Sequence, residues 1–167
     1  MVRRPDALSR PPEGRHLIDA TLLRRVFGVL GPAEAVLEMT AFVVALVVAG
    51  WWPGEPFPTG HGLLAASGAA FPAVVFGQMA NAFACRSASV PPWRLGWTTN
   101  RLLLGAVAVE LVALLGFLLL PFMADLLDQA FPPWPAFFVA LLAAPAVLLA
   151  DALHKHLRAR RRATRVG

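Results

Sequence analysis

The sequence predicts an all-α integral membrane protein, a bundle of four transmembrane helices arranged as two hairpins. Hydrophobic residues make up 57% of the 167-residue chain, more than the roughly 45–50% that is usual for soluble domains. The fifteen Lys and Arg residues fall only within residues 3–25, 86–101 and 155–165, and two long apolar regions separate these blocks. Because cationic loops are retained on the cytoplasmic side, both termini and the central loop are expected in the cytoplasm, in a multi-pass protein of the cell (plasma) membrane.

A polar, Pro-rich break lies near the middle of each apolar region and divides it into two crossings. The breaks read WWPGEPFPTGHG (51–62) and MADLLDQAFPPWP (123–135). A helix needs about 20 mostly apolar residues to span the hydrocarbon of a bilayer, and the four segments have about that length. The chain is therefore expected to form a single domain, 1–167, with helices at about 29–52, 63–85, 102–122 and 135–153 and a basic tail at 154–167.

Several function classes are excluded by what the sequence lacks. Cys85 is the only cysteine, so an internal disulfide or a Cys-based metal cluster is not expected. The chain has no P-loop, no GxSxG, no HExxH and no phosphorylation motif of the DKTGT kind. Its basic residues flank apolar segments and do not form one basic face, so a nucleic-acid partner is not expected. The chain by itself is predicted to be no enzyme, to hold no cofactor and no metal, and to have the lipid bilayer as a partner.

Carboxylates inside the predicted helices are the first candidate functional residues, because a carboxylate in hydrocarbon has to pair, protonate or reach water. Glu34 and Glu38 lie one turn apart on the first helix, and Glu110 is a deep, lone carboxylate on the third. Glu34 and Glu38 are interpreted either as an ion or proton site or as a pair at the cytoplasmic mouth of the bundle. Glu110 is interpreted either as an ion ligand or as a structural hydrogen-bonding group.

Two further pairs follow from helical spacing. Gln78 and Asn81 lie three residues apart and place two amides on one stripe of the second helix. Amide oxygens can ligate a cation, and amides also form hydrogen bonds between membrane helices. Asp151 and Lys155, four residues apart near the end of the fourth helix, predict a structural ion pair.

Four stretches, taken together and in order, resemble a known family. QMANAFACRS (78–87) resembles the eighth helix of type II P-type cation-transporting ATPases, and RRVFGVLGPAEAVLEMTAF (24–42) resembles the start of the seventh. The segment that opens with Asn100-Arg101-Leu102 and closes at Pro121 is similar to the ninth helix, and DALHK (151–155) to the end of the tenth. The resemblance covers nearly the whole chain.

The resemblance implies that the four helices are the C-terminal support part of the transmembrane domain of a P-type cation pump. In such pumps the main ion ligands come from the fourth to sixth helices. By position, Gln78 matches a site that is acidic in calcium pumps, Asn81 one that is Asp in sodium pumps, and Glu110 a ninth-helix Glu of the latter. The ion-pathway candidates are therefore Gln78, Asn81, Glu110, Glu38 and Glu34.

The family's catalytic domains are not among these 167 residues. The chain is therefore expected to be a truncated or split part of a pump, which contributes to ion transport only with a partner that carries the first six helices and the cytoplasmic domains. Mg²⁺ and ATP are expected only in that partner. The alternative is a free-standing four-helix membrane protein, either an accessory subunit or a small carrier.

Overall fold

A computed structural model describes residues 20–163 of the chain, and the regular elements in that range are all helical. Four of its helical stretches are long and apolar enough to cross a membrane. We call them the first, second, third and fourth spans, and they cover Leu22–Val48, His61–Ala84, Arg101–Leu119 and Trp134–Arg160. The predicted all-α fold with four membrane helices is confirmed.

Seven α-helices, one π-helical turn and one 3-10 turn build the spans and their connections in the described range. The α-helices are α1 (Ala20–Arg25), α2 (Gly31–Val48), α3 (His61–Ala84), α4 (Arg101–Leu119), α5 (Pro121–Leu126), α6 (Trp134–Leu141) and α7 (Ala143–Ala163). The π-helical turn is Val26–Leu30 and the 3-10 turn is Pro92–Arg94.

The first span begins at Leu22, upstream of the predicted start at about residue 29. A π-helical turn joins α1 to α2, and the Gly31 N–H donates to the carbonyl of Val26. Pro32 has no N–H and would leave a gap in a regular α-helical ladder, and a wider turn just before it accommodates that gap. The span ends at Val48, before the predicted residue 52, because the chain turns at Gly50 with φ of +96°.

The third and fourth spans also differ from the predicted bounds. α4 ends at Leu119 and Pro121 begins the separate helix α5, because the residue before a proline is driven out of the α conformation. The fourth span begins at Trp134, and α7 continues to Ala163. Residues 154–163 of the predicted basic tail are therefore helical, while residues 164–167 lie outside the described range.

Small residues form the core in which the first, second and fourth spans pack against one another. The buried core cluster consists of Leu46 and the alanines Ala41, Ala45, Ala66, Ala69, Ala73, Ala136, Ala140 and Ala143. Small side chains let helix backbones approach closely, which is how membrane helices gain packing energy where no hydrophobic effect drives association. The small residues of the second span thus lie at the centre of the bundle.

The third span packs at the side of this core. Leu114 and Leu118 are its buried residues, while Leu102, Val109 and Val112 are at least 70% exposed. An edge-to-face contact between the rings of Phe71 and Phe117 joins it to the second span. Most of its surface is therefore suited to lipid.

The connection between the third and fourth spans lies across the second span. The N–H of Ala130 donates to the carbonyl of Leu64 over 2.9 Å, and Gln129 donates from Nε2 to the carbonyl of Phe117 over 2.9 Å. A Cβ at Gly68 would lie 1.8 Å from the carbonyl oxygen of Ala130. Only glycine lets this connection lie against the second span.

Candidate functional site

The first polar cluster lies between the first and second spans and is centred on Glu34. Nε2 of Gln78 donates to Oε1 of Glu34 over 3.0 Å, and Nδ2 of Asn81 donates to Oε2 over 2.8 Å. Glu34 is 9% exposed. Gln78 and Asn81 of the second span thus both donate to the carboxylate of Glu34 in the first span. We call these three residues the Glu34 cluster.

A glycine makes room for this carboxylate. A Cβ at Gly77 would lie 2.7 Å from both Cγ and Oε1 of Glu34, closer than two such atoms can approach. The side chain of Glu34 therefore lies directly against the backbone of the second span. Gly77 was not a sequence candidate, although a glycine immediately before two helix-facing amides is the signal that would have indicated it.

The Glu34 cluster leaves one buried oxygen without a donor and one carboxylate without a counter-charge in the described residues. Oδ1 of Asn81 is buried and has no hydrogen-bond donor in the described part of the chain. No Lys or Arg of residues 20–163 pairs with Glu34, whose recorded partners are the two neutral amides. The carboxylate is therefore held in place but its charge is not balanced by these residues.

Glu38 lies one turn further along the first span and does not join the Glu34 cluster by a hydrogen bond. It is half-buried in a groove of about 350 Å³ between the first and second spans, which Met39, Phe42, Ser67 and Ala70 also line. We call this the 38/67 groove. Within residues 20–163 neither Glu38 nor Ser67 has a side-chain hydrogen bond. The groove therefore presents polar groups without partners at membrane depth.

Glu110 lies apart from both features. It is half-buried on the third span, and in the described range its carboxylate makes no hydrogen bond and no ion pair. The structure therefore does not bring Glu110 together with Gln78 and Asn81, the two other candidates taken from the resemblance.

The second polar cluster joins the first and fourth spans through one buried carboxylate. Asp151 is 0% exposed. Nη2 of Arg25 lies 2.5 Å and Nε 2.8 Å from its Oδ1, and Nζ of Lys155 lies 2.6 Å from its Oδ2. Oδ2 receives no hydrogen bond of regular geometry, so the ammonium of Lys155 pairs with it by charge and proximity.

The same two cations close the end of the second span. Ala84, its last residue, accepts from Nη2 of Arg25 over 2.8 Å and from Nζ of Lys155 over 3.2 Å. Arg25 also donates to the carbonyl of Ser87 over 3.3 Å, and Lys155 to that of Val90 over 3.0 Å. The last carbonyls of a helix lack partners within the helix and carry negative partial charge. We call Arg25, Asp151 and Lys155 the charge clamp.

The sequence was compared with families of known proteins. The family model described as cation transporting ATPase, C-terminus, matches residues 2–157. This chain belongs to that family. The resemblance drawn from the four sequence stretches is confirmed, and the chain is the C-terminal transmembrane part of a P-type cation pump. Comparison with curated proteins gave no match.

The two clusters have different chemistry within this pump domain. In the charge clamp the carboxylate is balanced by two cations of the chain itself, which suits a permanent structural connection. In the Glu34 cluster the recorded partners of the carboxylate in residues 20–163 are two neutral amides. Among residues 20–163, no three His, Cys, Asp or Glu side chains come together in a group that suits a metal ion.

Arg25 is the member of the charge clamp that sequence reasoning missed. The spacing of Asp151 and Lys155 indicated their pair directly, whereas Arg25 belongs to another span and was placed before the predicted start of the first helix. The position of Arg25 in the sequence was the signal that could have indicated its pairing with Asp151. Arg25 is a basic residue at the start of the first span, and Asp151 is an acidic one near the end of the fourth, so antiparallel packing places both at the same end of the bundle.

Proposed function

We propose that this chain supplies the bracing part of a cation pump's membrane domain and drives no transport without the catalytic part of the pump. The observation that carries this proposal is the family match over residues 2–157. The phosphorylation and nucleotide-binding domains, with their ATP and Mg²⁺, and the first six helices belong to segments outside these 167 residues. Their polypeptide is the partner with which this chain functions.

The 38/67 groove supports the need for a partner. A carboxylate exposed to lipid costs several kcal/mol unless it finds a partner or protonates, and Glu38 finds none within the described range. Lipid tails have no hydrogen-bond donor, but a further transmembrane helix with a donor side chain can supply one. We therefore assign the 38/67 groove as the surface on which a helix of the catalytic part docks.

The orientation of the domain follows from its charges. The charge clamp and the exposed Arg94 and Arg101 lie at one end of the bundle, which we call the basic end. Trp93 and Trp97 are 46% and 45% exposed at the same end, as expected where a membrane meets water. From the positive-inside rule we infer that this end, and with it both termini, faces the cytoplasm in a domain of the cell membrane.

Co-purification tests partner dependence. The tagged chain is expressed alone and together with a pump polypeptide, from the same genome, that carries a DKTGT motif and six membrane helices. We expect the two to co-purify and cation-stimulated ATP hydrolysis to require both. A stable monomer that neither binds such a polypeptide nor changes its activity would overturn the proposal and favour a free-standing four-helix protein.

A pair of tryptophan substitutions tests the groove. Ala70→Trp fills the 38/67 groove, and we expect it to abolish co-purification while the chain still inserts. Val109→Trp adds the same ring to the third span, at a position that is 70% exposed, and should leave co-purification unchanged. Equal effects of the two substitutions would show that the partner does not dock in the groove.

A further inference from the structure

The π-helical turn of the first span contains one residue more than a regular helix needs. In this turn the N–H of Gly31 donates to the carbonyl of Val26, five residues back, whereas an α-helix reaches four residues back. Because successive residues of an α-helix lie about 100° apart around the axis, the extra residue turns α1 by about that angle relative to α2. The turn therefore decides which side chains of α1 face the bundle.

The π-helical turn brings Arg25 to the buried face of the first span. Leu30 is 1% exposed and marks that face, and it follows Arg25 by five residues. In a continuous α-helix this spacing would separate the two side chains by about 140° around the axis, whereas with one residue absorbed it separates them by about 40°. Arg25 is accordingly buried and pairs with Asp151, while its neighbour Arg24 is exposed. The charge clamp thus depends on the extra residue.

The same segment carries a second apolar face, which the structure does not use. Leu23 and Val26 precede Leu30 by seven and four residues, the spacing at which apolar side chains share one face of a regular α-helix. With the π-helical turn in place, Leu23 is 44% exposed. A continuous α-helix would turn Leu23 toward the bundle, place Val26 where Arg25 now lies and turn Arg25 away from Asp151. The sequence of the first span thus fits two registers, of which the structure shows one.

The charge clamp can lose Arg25 without leaving Asp151 unpaired. Lys155 lies one turn from Asp151 on the same helix, with its Nζ 2.6 Å from Oδ2, and it also donates to the carbonyl of Ala84 that Arg25 reaches. Without Arg25, Asp151 and Lys155 remain as a neutral pair, which is the permanent part of the clamp. Arg25 lies at the basic end of the bundle, where a long cationic side chain can extend to headgroups and water. Neither register therefore leaves a buried charge uncompensated.

We propose that the π-helical turn is a joint with two registers. While Arg25 is held in the charge clamp the turn is π-helical, and on release of Arg25 it converts to continuous α-helix, which rotates α1 by about 100° and brings Leu23 against the bundle. Pro32 opposes the conversion, because in a continuous α-helix its ring would clash with the carbonyl of Gly28. The joint lets the segment that enters the first span rotate while α2 keeps its packing. The inference goes beyond the proposed function, since it concerns this chain alone.

Single-residue deletions test the extra residue. Deletion of the exposed Gly28 should give a continuous α-helix in which Arg25 and Leu30 keep their places, so we expect the midpoint of unfolding by SDS to stay unchanged or to rise. Val36 is also exposed, at 62%, but lies within the regular helix α2. Its deletion turns everything before it by about 100° relative to the buried core cluster and should lower the midpoint. An equal loss from both deletions would overturn the proposal.

A nitroxide label at position 23 reports the conversion between registers. The label is attached through Leu23→Cys in a Cys85→Ser background, and the full chain is placed in lipid nanodiscs. Its electron paramagnetic resonance spectrum separates mobile label from label that is immobilised by packing. With no further substitution we expect mainly mobile label. Arg25→Met removes the guanidinium from the charge clamp and Pro32→Ala removes the clash of the ring, so in each variant we expect the immobilised component to become the major one.

Deletion of Gly28 provides the control, because without the extra residue the first span has no second register. In that background Arg25→Met and Pro32→Ala should both keep the mobile spectrum. Immobilisation that persists there would show loosened packing and not conversion, and would overturn the proposal. A mobile spectrum in Pro32→Ala alone would overturn it as well. This variant leaves the charge clamp intact, so it decides the question even where Arg25→Met does not fold.

Discussion

Replacement of Asp151 should destabilise the domain more than replacement of either cation that surrounds it. Asp151→Asn keeps the size of the side chain but leaves the charges of Arg25 and Lys155 buried against each other. Removing one partner of a buried ion pair costs about 3–5 kcal/mol, because an uncompensated charge stays behind. With 0% exposure of Asp151, water cannot relieve this cost, and we expect a loss in this range.

Lys155→Met provides the comparison. It leaves the Arg25–Asp151 pair intact at 2.5 Å. It removes the ion pair of Lys155 with Oδ2 of Asp151 and two hydrogen bonds, to the carbonyls of Ala84 and Val90. At a net value of about 0.5–1.5 kcal/mol each, their loss amounts to about 1–3 kcal/mol. The clamp carries one excess positive charge, so removing a cation also brings it to neutrality.

Reversible unfolding in mixed detergent micelles, titrated with SDS, measures both free energies of unfolding. The expected order is wild type, then Lys155→Met, then Asp151→Asn as the least stable. The exposed Glu55 serves as the control position, and Glu55→Gln should change the free energy by no more than about 0.5 kcal/mol. A cost of Lys155→Met equal to or above that of Asp151→Asn would refute the assignment of Asp151 as the centre of the clamp.

Three further predictions concern packing, orientation and the third span. Gly68→Ala places a methyl 1.8 Å from a backbone carbonyl oxygen, so it should lower the free energy of unfolding by about 1–3 kcal/mol or more, whereas Gly105→Ala should not lower it. The exposed Cys85 should react with a membrane-impermeant maleimide in inverted vesicles and not in intact cells. Thr59→Cys, in a Cys85→Ser background, should react in intact cells and not in inverted vesicles. The reverse pattern would invert the assigned orientation. Glu110→Gln should leave insertion and stability unchanged, since no hydrogen bond is lost, but should alter the ion dependence of a reconstituted pump, and an unchanged ion dependence would exclude a ligand role.

The sequence was sufficient for the class of protein, the number of crossings and the family. Each depends on properties that are read along the chain, namely the length of apolar segments, the placement of basic residues and short ordered motifs. Helix ends were less accurate where backbone chemistry competes with hydrophobicity. Apolar content extends the third helix to about residue 122, whereas Pro121 ends it at Leu119 and begins a separate helix. The fourth span continues past the predicted end at about residue 153, because α7 runs through the basic residues to Ala163.

The partners of the polar side chains were decided by the tertiary structure. Spacing within a helix indicated that Gln78 and Asn81 share a stripe and that Lys155 pairs with Asp151. No spacing within one helix indicates that Glu34 lies between those amides, or that Arg25 completes the charge clamp. Those contacts depend on which helices touch, how each is rotated about its axis and how closely the backbones approach. Glycine at position 77 and the buried alanines set that approach, and their effect exists only once the helices have packed.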